Sequence, residues 1–556
     1  MAIMFCTIHA VPAIGPTRAI YAAKLSSILR SMAASFRASP NTLKNIARVS
    51  ALPASPWRQD RQAGTSYMGP HRLLKKWRPR NGHTSGVWRP TRQDQFSEAP
   101  GGGRSTSTLS SALRYQNQEN GTLIFSRGTA EEVAREIYQR QDGDDAFFVC
   151  DLRDIIRKVD LWHECLPRVT PFYAIKACGD PVVLAELNAR GVNFDCSNTP
   201  EILTMLEIGV HPDRIIYAHT VKSTSHIKFA VQNGVTLLTF DCAEELQKIK
   251  DKNVRLLLRI KGDNEGCKIS FNEKYGCSVD EARRILETAR DLHCNVVGVC
   301  FHVGAFYQNP RIFARTIQMA KAVFDMASEL GMHLTILNIG GGFPGGVRSI
   351  YMYKQVCESV RRATDEYFPA SSGVQIIAEP GQFFVASAYY LAVRVVGKRR
   401  KDIVVDSVVQ MHQDVFLNES RDNCVSRHLY EFSDVNIVPL EEPRDRKLDV
   451  LTTLWGATCN PLDVIEPRKL FFDVNVDEWL LMDNMGAYTL SFACGFNGTG
   501  FPMVHYIVPP DAVSSVRQVI EHSTLRSGYS QQEKALKRDF FTHKRQRISD
   551  ISCNDY

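Results

Sequence analysis

Residues 171–177 read PFYAIKA, an apolar run of β-favouring residues with a lysine, Lys176, next to its end. A run this short is typical of a strand that is buried on both faces. A lysine that closes such a strand is poorly hydrated, so we expect burial to lower its pKa and to free its amine for a Schiff base with an aldehyde. The alternative is a strand-end lysine whose ammonium group reaches water along its own apolar stem.

Seven further apolar runs follow this one and alternate with helical patterns. The eight predicted strands are residues 170–176, 192–196, 214–219, 236–241, 254–260, 296–303, 333–339 and 374–378. Ser278 and Glu281 form a capping-box pattern ahead of one helix, while Asn309-Pro310 favours the start of the next, which Gly331 would end. Eight β-α units over about 220 residues predict an α/β fold, a (β/α)8 TIM barrel.

After residue 390 the apolar runs follow one another without long helices between them. Residues 388–396, 402–409 and 503–508 read as strands, and 469–482 is apolar. This pattern predicts a second, mainly antiparallel β domain. The predicted organisation is a disordered basic extension at 1–118, the N-terminal part of the β domain at 119–165, the barrel at 166–390, the C-terminal part of the β domain at 391–515 and a flexible tail at 516–556.

The first hundred residues hold most of the positive charge. They contain fifteen Lys and Arg against three acids, a net charge of +12, so the rest of the chain carries −5 of the total of +7. Apolar residues between Ile20 and Phe36 fall on one helical face among arginines and serines, as in a mitochondrial transit peptide. We predict a cytoplasmic protein, or a mitochondrial one if residues 1–50 act as a transit peptide.

Composition excludes several classes of protein. A hydrophobic content of 44% and a charged content of 23% are those of a soluble globular protein. No apolar run reaches the roughly 18 residues of a membrane span, and no nucleic-acid-binding motif accompanies the basic extension. The fifteen cysteines are scattered without metal-ligand spacing, which predicts reduced thiols and no metal site.

The predicted strand ends carry chemistry. In a barrel of this kind the active site gathers at the C-terminal ends of the strands, and those ends read Lys176, Asp195, Arg259, His302, Gly340, Gly341, Gly342 and Glu379. Three glycines expose backbone amides to a phosphate, a carboxylate can hold a pyridinium proton, and a histidine can stack on a ring. Each residue alone has an ordinary structural explanation, but their position at six strand ends predicts a site for an anionic aromatic cofactor.

Seven motifs of the chain also occur in a known order. They are PFYAIKA, FDCSNTPEI, FHVG, NIGGGFPG, AEPG, WGATC and NMGAYT. In this order they resemble the eukaryotic ornithine decarboxylase family over residues 120–510. That family combines a pyridoxal-phosphate barrel with a β domain (fold type III, alanine racemase-like) and includes the non-catalytic antizyme inhibitor. The resemblance implies pyridoxal 5′-phosphate as cofactor, a homodimer with shared active sites, and decarboxylation of ornithine to putrescine or of a related basic amino acid.

The resemblance implies roles for individual residues around the cofactor. Lys176 would bind its aldehyde, Glu379 would pair with its ring nitrogen, and His302 would stack on its ring. The remaining cofactor contacts would come from Asp195, Arg259, Gly340, Gly341, Gly342, Gln382 and Tyr488.

A second set of residues is implied at the substrate and the dimer interface. Cys459 would reach the site from the partner subunit and return a proton to the substrate carbon after CO₂ leaves. Glu431, Asn460 and Asp463 would line the substrate site. Lys274 and Asp463 would tie the dimer together, in part through a salt bridge.

Four positions depart from the family pattern. Ala305 replaces a serine after HVG, and Gln382 replaces an arginine after AEPG, so a hydroxyl and a cation for the phosphate are lost. Asn460 and Glu431 stand where the family has the two aspartates that grip the distal amine. These changes leave activity in doubt.

Three functional interpretations therefore remain open. The first is an active decarboxylase, and the second is a weak or inactive regulator of polyamine synthesis that binds antizyme. Residues 226–250 resemble the region through which both branches of the family bind antizyme and do not separate them. The third, an alanine racemase or barrel-only binder, is disfavoured by the Cys459 motif and the long β domain.

Overall fold

The computed structural model describes residues 115–117, 121–141, 143–405, 407–425, 435–441 and 446–526. Nearly all of the predicted basic extension, the end of the tail and Glu431 lie outside these ranges. The elements that precede the barrel are β1 (Tyr115–Asn117), β2 (Leu123–Phe125), α1 (Ala130–Tyr138), β3 (Phe147–Asp151) and α2 (Leu152–Cys165).

Eight parallel strands close into a barrel in the order of the sequence, which confirms the predicted fold class. They are β4 (Val169–Ala174), β5 (Asn193–Cys196), β6 (Ile215–Tyr217), β7 (Leu237–Phe240), β8 (Arg255–Arg259), β9 (Asn295–Cys300), β10 (Ile336–Asn338) and β11 (Gln375–Ala378). β11 pairs back onto β4 and closes the ring. Inward side chains such as Phe172, Leu237 and Ile336 fill the interior as one buried cluster.

A helix follows each barrel strand. These helices are α3 (Pro181–Ala189), α4 (Thr199–Glu207), α5 (Thr224–Gln232), α6 (Ala243–Leu246), α7 (Val279–Asp291), α8 (Ile312–Glu329), α9 (Ile350–Tyr367) and α10 (Gln382–Val385). The capping box of Ser278 and Glu281 is present at the start of α7. The predicted start of α8 at Asn309-Pro310 is wrong, because Asn309 accepts from the Arg311 N–H and makes a turn instead.

The second domain is a mixed but mostly antiparallel sheet. Its later strands are β12 (Tyr389–Val405), β13 (Val408–Leu417), β14 (Ile437–Pro439), β15 (Val450–Trp455), β16 (Val464–Phe471), β17 (Trp479–Met482) and β18 (Met503–Ile507). β18 pairs in parallel with β2 and β3, and β13 with β15. The predicted strand 402–409 is wrong, because Val405 pairs with Val408 across the turn of the β12–β13 hairpin.

A final helix, α11 (Val513–Arg526), follows the sheet. The flexible tail predicted from residue 516 is therefore wrong for residues 516–526. Val516 and Ile520 are buried there, so apolar burial holds this helix in place. Among the described residues, no helix has the length and apolar content to cross a membrane, and the cysteines are free.

The β domain holds the segment that carries Lys176. This segment follows β4 as a short 3-10 turn (Ile175–Ala177), and the Ala177 carbonyl accepts from the Tyr488 N–H at 2.9 Å. Asp180, which caps α3, accepts hydrogen bonds from the hydroxyls of Tyr389 in β12 (2.7 Å) and Tyr506 in β18 (2.9 Å). A buried carboxylate is stabilised only by such donors, so these bonds fix the strand end against the second domain.

A side chain at Gly298 would test the packing of the barrel. A Cβ there would lie 1.9 Å from the carbonyl oxygen of Ile336 in β10. We expect Gly298→Ala to lower the free energy of unfolding by at least about 2 kcal/mol, because the two strands would have to move apart. Urea unfolding measures this loss. Gly495→Ala is the matched control, since no atom lies within 4 Å of its Cβ position; equal stability of both variants would contradict the packing.

Candidate active site

An ion pair between Lys176 and Asp195 lies at the ends of β4 and β5. The Lys176 Nζ contacts the Asp195 Oδ2. The Asp195 side chain is fully buried, whereas that of Lys176 is 42% exposed, so the amine lies at the accessible side of the pair. The second oxygen of Asp195, Oδ1, is buried and accepts no hydrogen bond from the described residues. Desolvation raises the pKa of Asp195 and outweighs the opposing charges of Lys176 and Arg259.

The expectation that burial lowers the pKa of Lys176 is wrong. Desolvation does act in that direction, but the charges of Asp195, Glu379 and Tyr488 outweigh it and leave the pKa raised above its ordinary value. The amine is therefore protonated at neutral pH in this structure. Its release as a nucleophile requires that the carboxylates around it be neutralised or given another partner.

Glu379 follows β11 and is held by Asn338 at the end of β10. The Asn338 Nδ2 donates to the Glu379 Oε1 at 2.6 Å, and the Asn338 Oδ1 accepts from the Gly340 N–H at 2.9 Å. Desolvation and the charge of Asp195 raise the pKa of Glu379 to about 7, although Lys176 and the Asn338 amide oppose this shift. One buried amide thus positions both a carboxylate and the first glycine of the run. Sequence reasoning missed Asn338, although it begins the quoted motif NIGGGFPG.

His302 and Arg259 lie beside this pair and contact one loop. Desolvation, with the charges of Arg259 and Lys176, lowers the pKa of His302 to about 3, so its ring is neutral at neutral pH. The ring meets Phe271 edge to face at 4.8 Å between centroids, and the Arg259 guanidinium lies 4.8 Å from the centroid of Tyr275. Both aromatic residues belong to the loop between β8 and α7. Their contacts with His302 and Arg259 were not predicted, because the sequence of this loop does not indicate that it packs against the barrel mouth.

The glycine run approaches its neighbours too closely for any side chain. Gly340 and Gly342 have φ values of 65° and 96°, and a Cβ on Gly341 would lie 2.7 Å from the Glu379 carbonyl oxygen and 2.9 Å from the His302 Nε2. Only glycine is compatible with this geometry. The run therefore lies directly against two other residues of the site.

The neutral residues predicted at the phosphate lie near this run. Gln382 is the first residue of α10, and its carbonyl oxygen lies against Gly345. Ala305 forms a backbone bridge with Ile269. The Tyr488 hydroxyl lies 3.4 Å from the Cβ position of Gly381, the residue before Gln382.

These residues fit pyridoxal phosphate. The site offers a lysine amine, a carboxylate of raised pKa, a neutral imidazole and a close-packed glycine run, together with a buried carboxylate oxygen that lacks a partner. The amine matches an aldehyde, the carboxylate a pyridinium nitrogen, the imidazole an aromatic face and the glycine run a phosphate. Of the residues predicted at the barrel mouth, Lys176 contacts Asp195, and Gly341 lies against Glu379 and His302.

The residues predicted at the substrate lie elsewhere in the chain. Cys459 is exposed in the loop after β15. Asp463 in this loop is buried and accepts from the Ser420 hydroxyl (2.9 Å), the Arg421 N–H (2.9 Å) and the Thr458 hydroxyl (2.7 Å). These hydrogen bonds join the loop to the segment after β13, not to the barrel mouth.

The predicted dimer residue Lys274 lies in the loop between β8 and α7. Its Nζ is 5.1 Å from the centroid of Tyr275, and it makes no salt bridge within the described ranges. Asp463, the other predicted dimer residue, accepts hydrogen bonds from Ser420, Arg421 and Thr458.

Comparison with known proteins defines the class. A profile of the pyridoxal-dependent decarboxylase family, pyridoxal binding domain, matches residues 152–386. Ornithine decarboxylase of Rattus norvegicus is 36% identical over 392 residues, which cover 68% of this chain and 84% of the relative. Antizyme inhibitor 2 of Xenopus laevis is 38% identical over 400 residues, covering 71% and 88%. The crystal structure of Paramecium bursaria Chlorella virus arginine decarboxylase bound to agmatine is 34% identical with a TM-score of 0.63, covering 68% of this chain and all of that one.

The barrel and its contacts are thus those of a fold-type III decarboxylase that uses pyridoxal phosphate. The chain belongs to the pyridoxal-dependent decarboxylase family that includes the eukaryotic ornithine decarboxylases and the antizyme inhibitors. The ornithine decarboxylase and the antizyme inhibitor are 36% and 38% identical to this chain, so the two identities do not separate an enzyme from a regulator.

The hydrogen bond from Asn338 should set the ionisation of Glu379. Asn338→Leu removes a donor to a charged acceptor, which should raise the pKa of Glu379 by about one to two units. Because a carboxylate is needed to hold the pyridinium proton, the acidic limb of cofactor loading should move to higher pH. Absorbance titration with pyridoxal phosphate between pH 5 and 9 measures this shift.

Asn338→Asp provides the matched variant for this experiment. It keeps the shape of the side chain but places a second carboxylate beside Glu379. The acidic limb of its cofactor-loading profile should therefore move to higher pH at least as far as that of Asn338→Leu. Thermal unfolding of each apoprotein controls for loss of fold. Three superimposable loading profiles would contradict the assigned role.

An arginine at position 382 should restore the cation for the cofactor phosphate that the family pattern has and this chain lacks. Gln382→Arg should lower the Kd for pyridoxal phosphate by about ten- to a hundredfold, because a charged hydrogen bond to phosphate is worth about 1.5–3 kcal/mol. Gln382→Met is the neutral control and should not tighten binding. Equal affinity of Gln382→Arg and the wild type would mean that another cation already meets the phosphate.

Proposed function

We propose that the protein is a pyridoxal-phosphate-dependent decarboxylase that converts ornithine to putrescine, or decarboxylates a related basic amino acid, in polyamine biosynthesis. The observation that carries this proposal is the group of charges at the barrel mouth. Lys176 pairs with Asp195, and Asn338 holds Glu379, whose charge also acts on Lys176. The exposed thiol of Cys459 adds support, because the resemblance assigns the return of the proton to this position.

Each residue at the barrel mouth has a distinct task. The bound cofactor supplies a conjugated cationic ring that accepts the electron pair left when CO₂ departs. Glu379, with a pKa of about 7, would hold the proton of the ring nitrogen. His302 is neutral and would lie against the ring without adding a charge. Asp195 would orient the amine of Lys176, which is on the accessible side of their ion pair.

The return of a proton is the task that the resemblance assigns to Cys459, whose loop is joined to the segment after β13. Decarboxylation leaves a carbon that must be protonated by a positioned group, and Cys459 is exposed on the β domain among residues of its own loop. A second copy of the chain would deliver this thiol, so we propose a homodimer with shared active sites. Asp463 would shape the loop that presents Cys459, and the exposed Lys274 would contribute to the interface.

A regulator that binds antizyme is the second candidate. Residues 226–250, which resemble the antizyme-binding region, include most of α5, where Ile227 and Ala230 are buried and Lys228 is exposed on the outside of the barrel. The similarity to antizyme inhibitor 2 of Xenopus laevis also favours this candidate. Binding of antizyme is compatible with either activity, so only a measurement of chemistry separates the two.

Release of CO₂ from carboxyl-labelled ornithine, lysine and arginine, at excess pyridoxal phosphate, tests the proposed activity. We expect the wild type to release CO₂ from at least one of them. Lys176→Ala should release none and should lose the cofactor adduct that borohydride reduces, because the amine that binds the aldehyde is gone. If the wild type released no CO₂ from any of the three substrates, the proposed decarboxylase activity would be refuted and the antizyme-binding regulator would be favoured.

A further inference from the structure

Asp422 lies beside the residues that the resemblance assigns to substrate. Its Oδ2 accepts from the Asn460 Nδ2 at 2.8 Å. The Thr458 hydroxyl lies 3.4 Å from the same oxygen but donates its proton to Asp463 at 2.7 Å. Thr458 and Asn460 flank Cys459 in the sequence. The Asp422 carbonyl oxygen also accepts from the Cys494 thiol at 3.1 Å. The segment after β13 therefore presents a carboxylate to the loop that carries Cys459.

The orientation of the Asn460 amide is fixed at both ends. Its Oδ1 accepts from the Leu462 N–H at 3.1 Å, so its Nδ2 must face Asp422. An uncharged residue at position 460 thus has a carboxylate in direct contact. The negative charge missing from one side of this loop is present 2.8 Å away, on a neighbouring segment.

The other carboxylates nearby are not available to a ligand. Asp463 is buried and accepts hydrogen bonds from Ser420, Arg421 and Thr458. Glu419 is buried and accepts from the Asn423 side chain at 3.0 Å. Asp422 is only partly buried, and within the described ranges it forms no salt bridge and its Oδ1 receives no hydrogen bond. Its Oδ1 is therefore the open acceptor of this group.

We propose that Asp422 receives the distal ammonium group of the substrate through Oδ1 and supplies the charge that position 460 lacks. This assignment rests on the proposed decarboxylase, in which the loop reaches the cofactor site of a second copy. A guanidinium is bound best by both oxygens of a carboxylate, and Oδ2 already accepts from the Asn460 Nδ2. The substrate class is therefore an amino acid with a terminal primary amine, ornithine or lysine, in preference to arginine.

Steady-state kinetics of the full-length holoenzyme test this assignment. Asp422→Asn keeps the shape of the side chain but removes its charge. We expect KM for ornithine and lysine to rise about tenfold or more, because a hydrogen bond between charged groups is lost, with a smaller change in kcat and little change for arginine. The double variant Asp422→Asn/Asn460→Asp, which returns a carboxylate to the loop, should recover most of the loss.

Direct binding of diamines keeps the test separate from the activity. Calorimetry on the cofactor-loaded protein should show that Asp422→Asn weakens putrescine and cadaverine about tenfold or more while agmatine changes little. Asp291→Asn is the matched control, since this acid is exposed at the end of α7 and pairs with Arg290. It should leave every constant unchanged.

The two proposals fail in different ways. A wild type that releases no CO₂ but binds putrescine through Asp422 would refute the decarboxylase and support the assignment of Asp422. Unchanged KM and diamine Kd values in Asp422→Asn, or a wild type that binds no diamine, would overturn that assignment. Equal losses for putrescine and agmatine would overturn the preference for a primary amine.

Discussion

The balance of charge at the barrel mouth is the constraint on which the site depends. Two carboxylates, Asp195 and Glu379, interact with two cations, Lys176 and Arg259, and desolvation raises the pKa of both carboxylates. A buried charge is stable only with a partner and hydrogen bonds, so no member of the set can be changed alone. This mutual dependence explains why Asn338 is fully buried. It satisfies a carboxylate without adding a charge of its own.

The barrel could be predicted from the sequence because its strands are buried on both faces and read as continuous apolar runs. Their ends were predictable for the same reason, since a charged residue that interrupts such a run must lie at the mouth, as Lys176 and Asp195 do. The sign of the pKa shift at Lys176 was not predicted, because it depends on how closely the charges of Asp195 and then Glu379 approach the amine, which only the folded chain defines. The β12–β13 hairpin was missed because its exposed valines resemble a buried strand.

Residues that act through a side-chain contact between distant segments could also not be predicted from the sequence. Asn338 and Asp422 have no local pattern that marks them, and each gains its meaning from one hydrogen bond, to Glu379 and to Asn460 respectively. The resemblance pointed to positions where this chain lacks a familiar residue. The structure adds that a carboxylate of a neighbouring segment lies 2.8 Å from the Asn460 amide, so a substitution in a motif is weak evidence for lost chemistry until its surroundings are known.

The β sheet combines strands that precede the barrel in the sequence with strands that follow it, and this has a consequence for biosynthesis. β3 pairs with β12 and β18, so Phe147 lies beside Ala392 and Met503. A ribosome must therefore complete the whole barrel before the first strands of the second domain find their neighbours. Until then β3 has unpaired edges, and such edges invite aggregation. The contact between Tyr506 and Asp180 joins residues 326 positions apart, so it forms only after nearly the whole described chain has been synthesised.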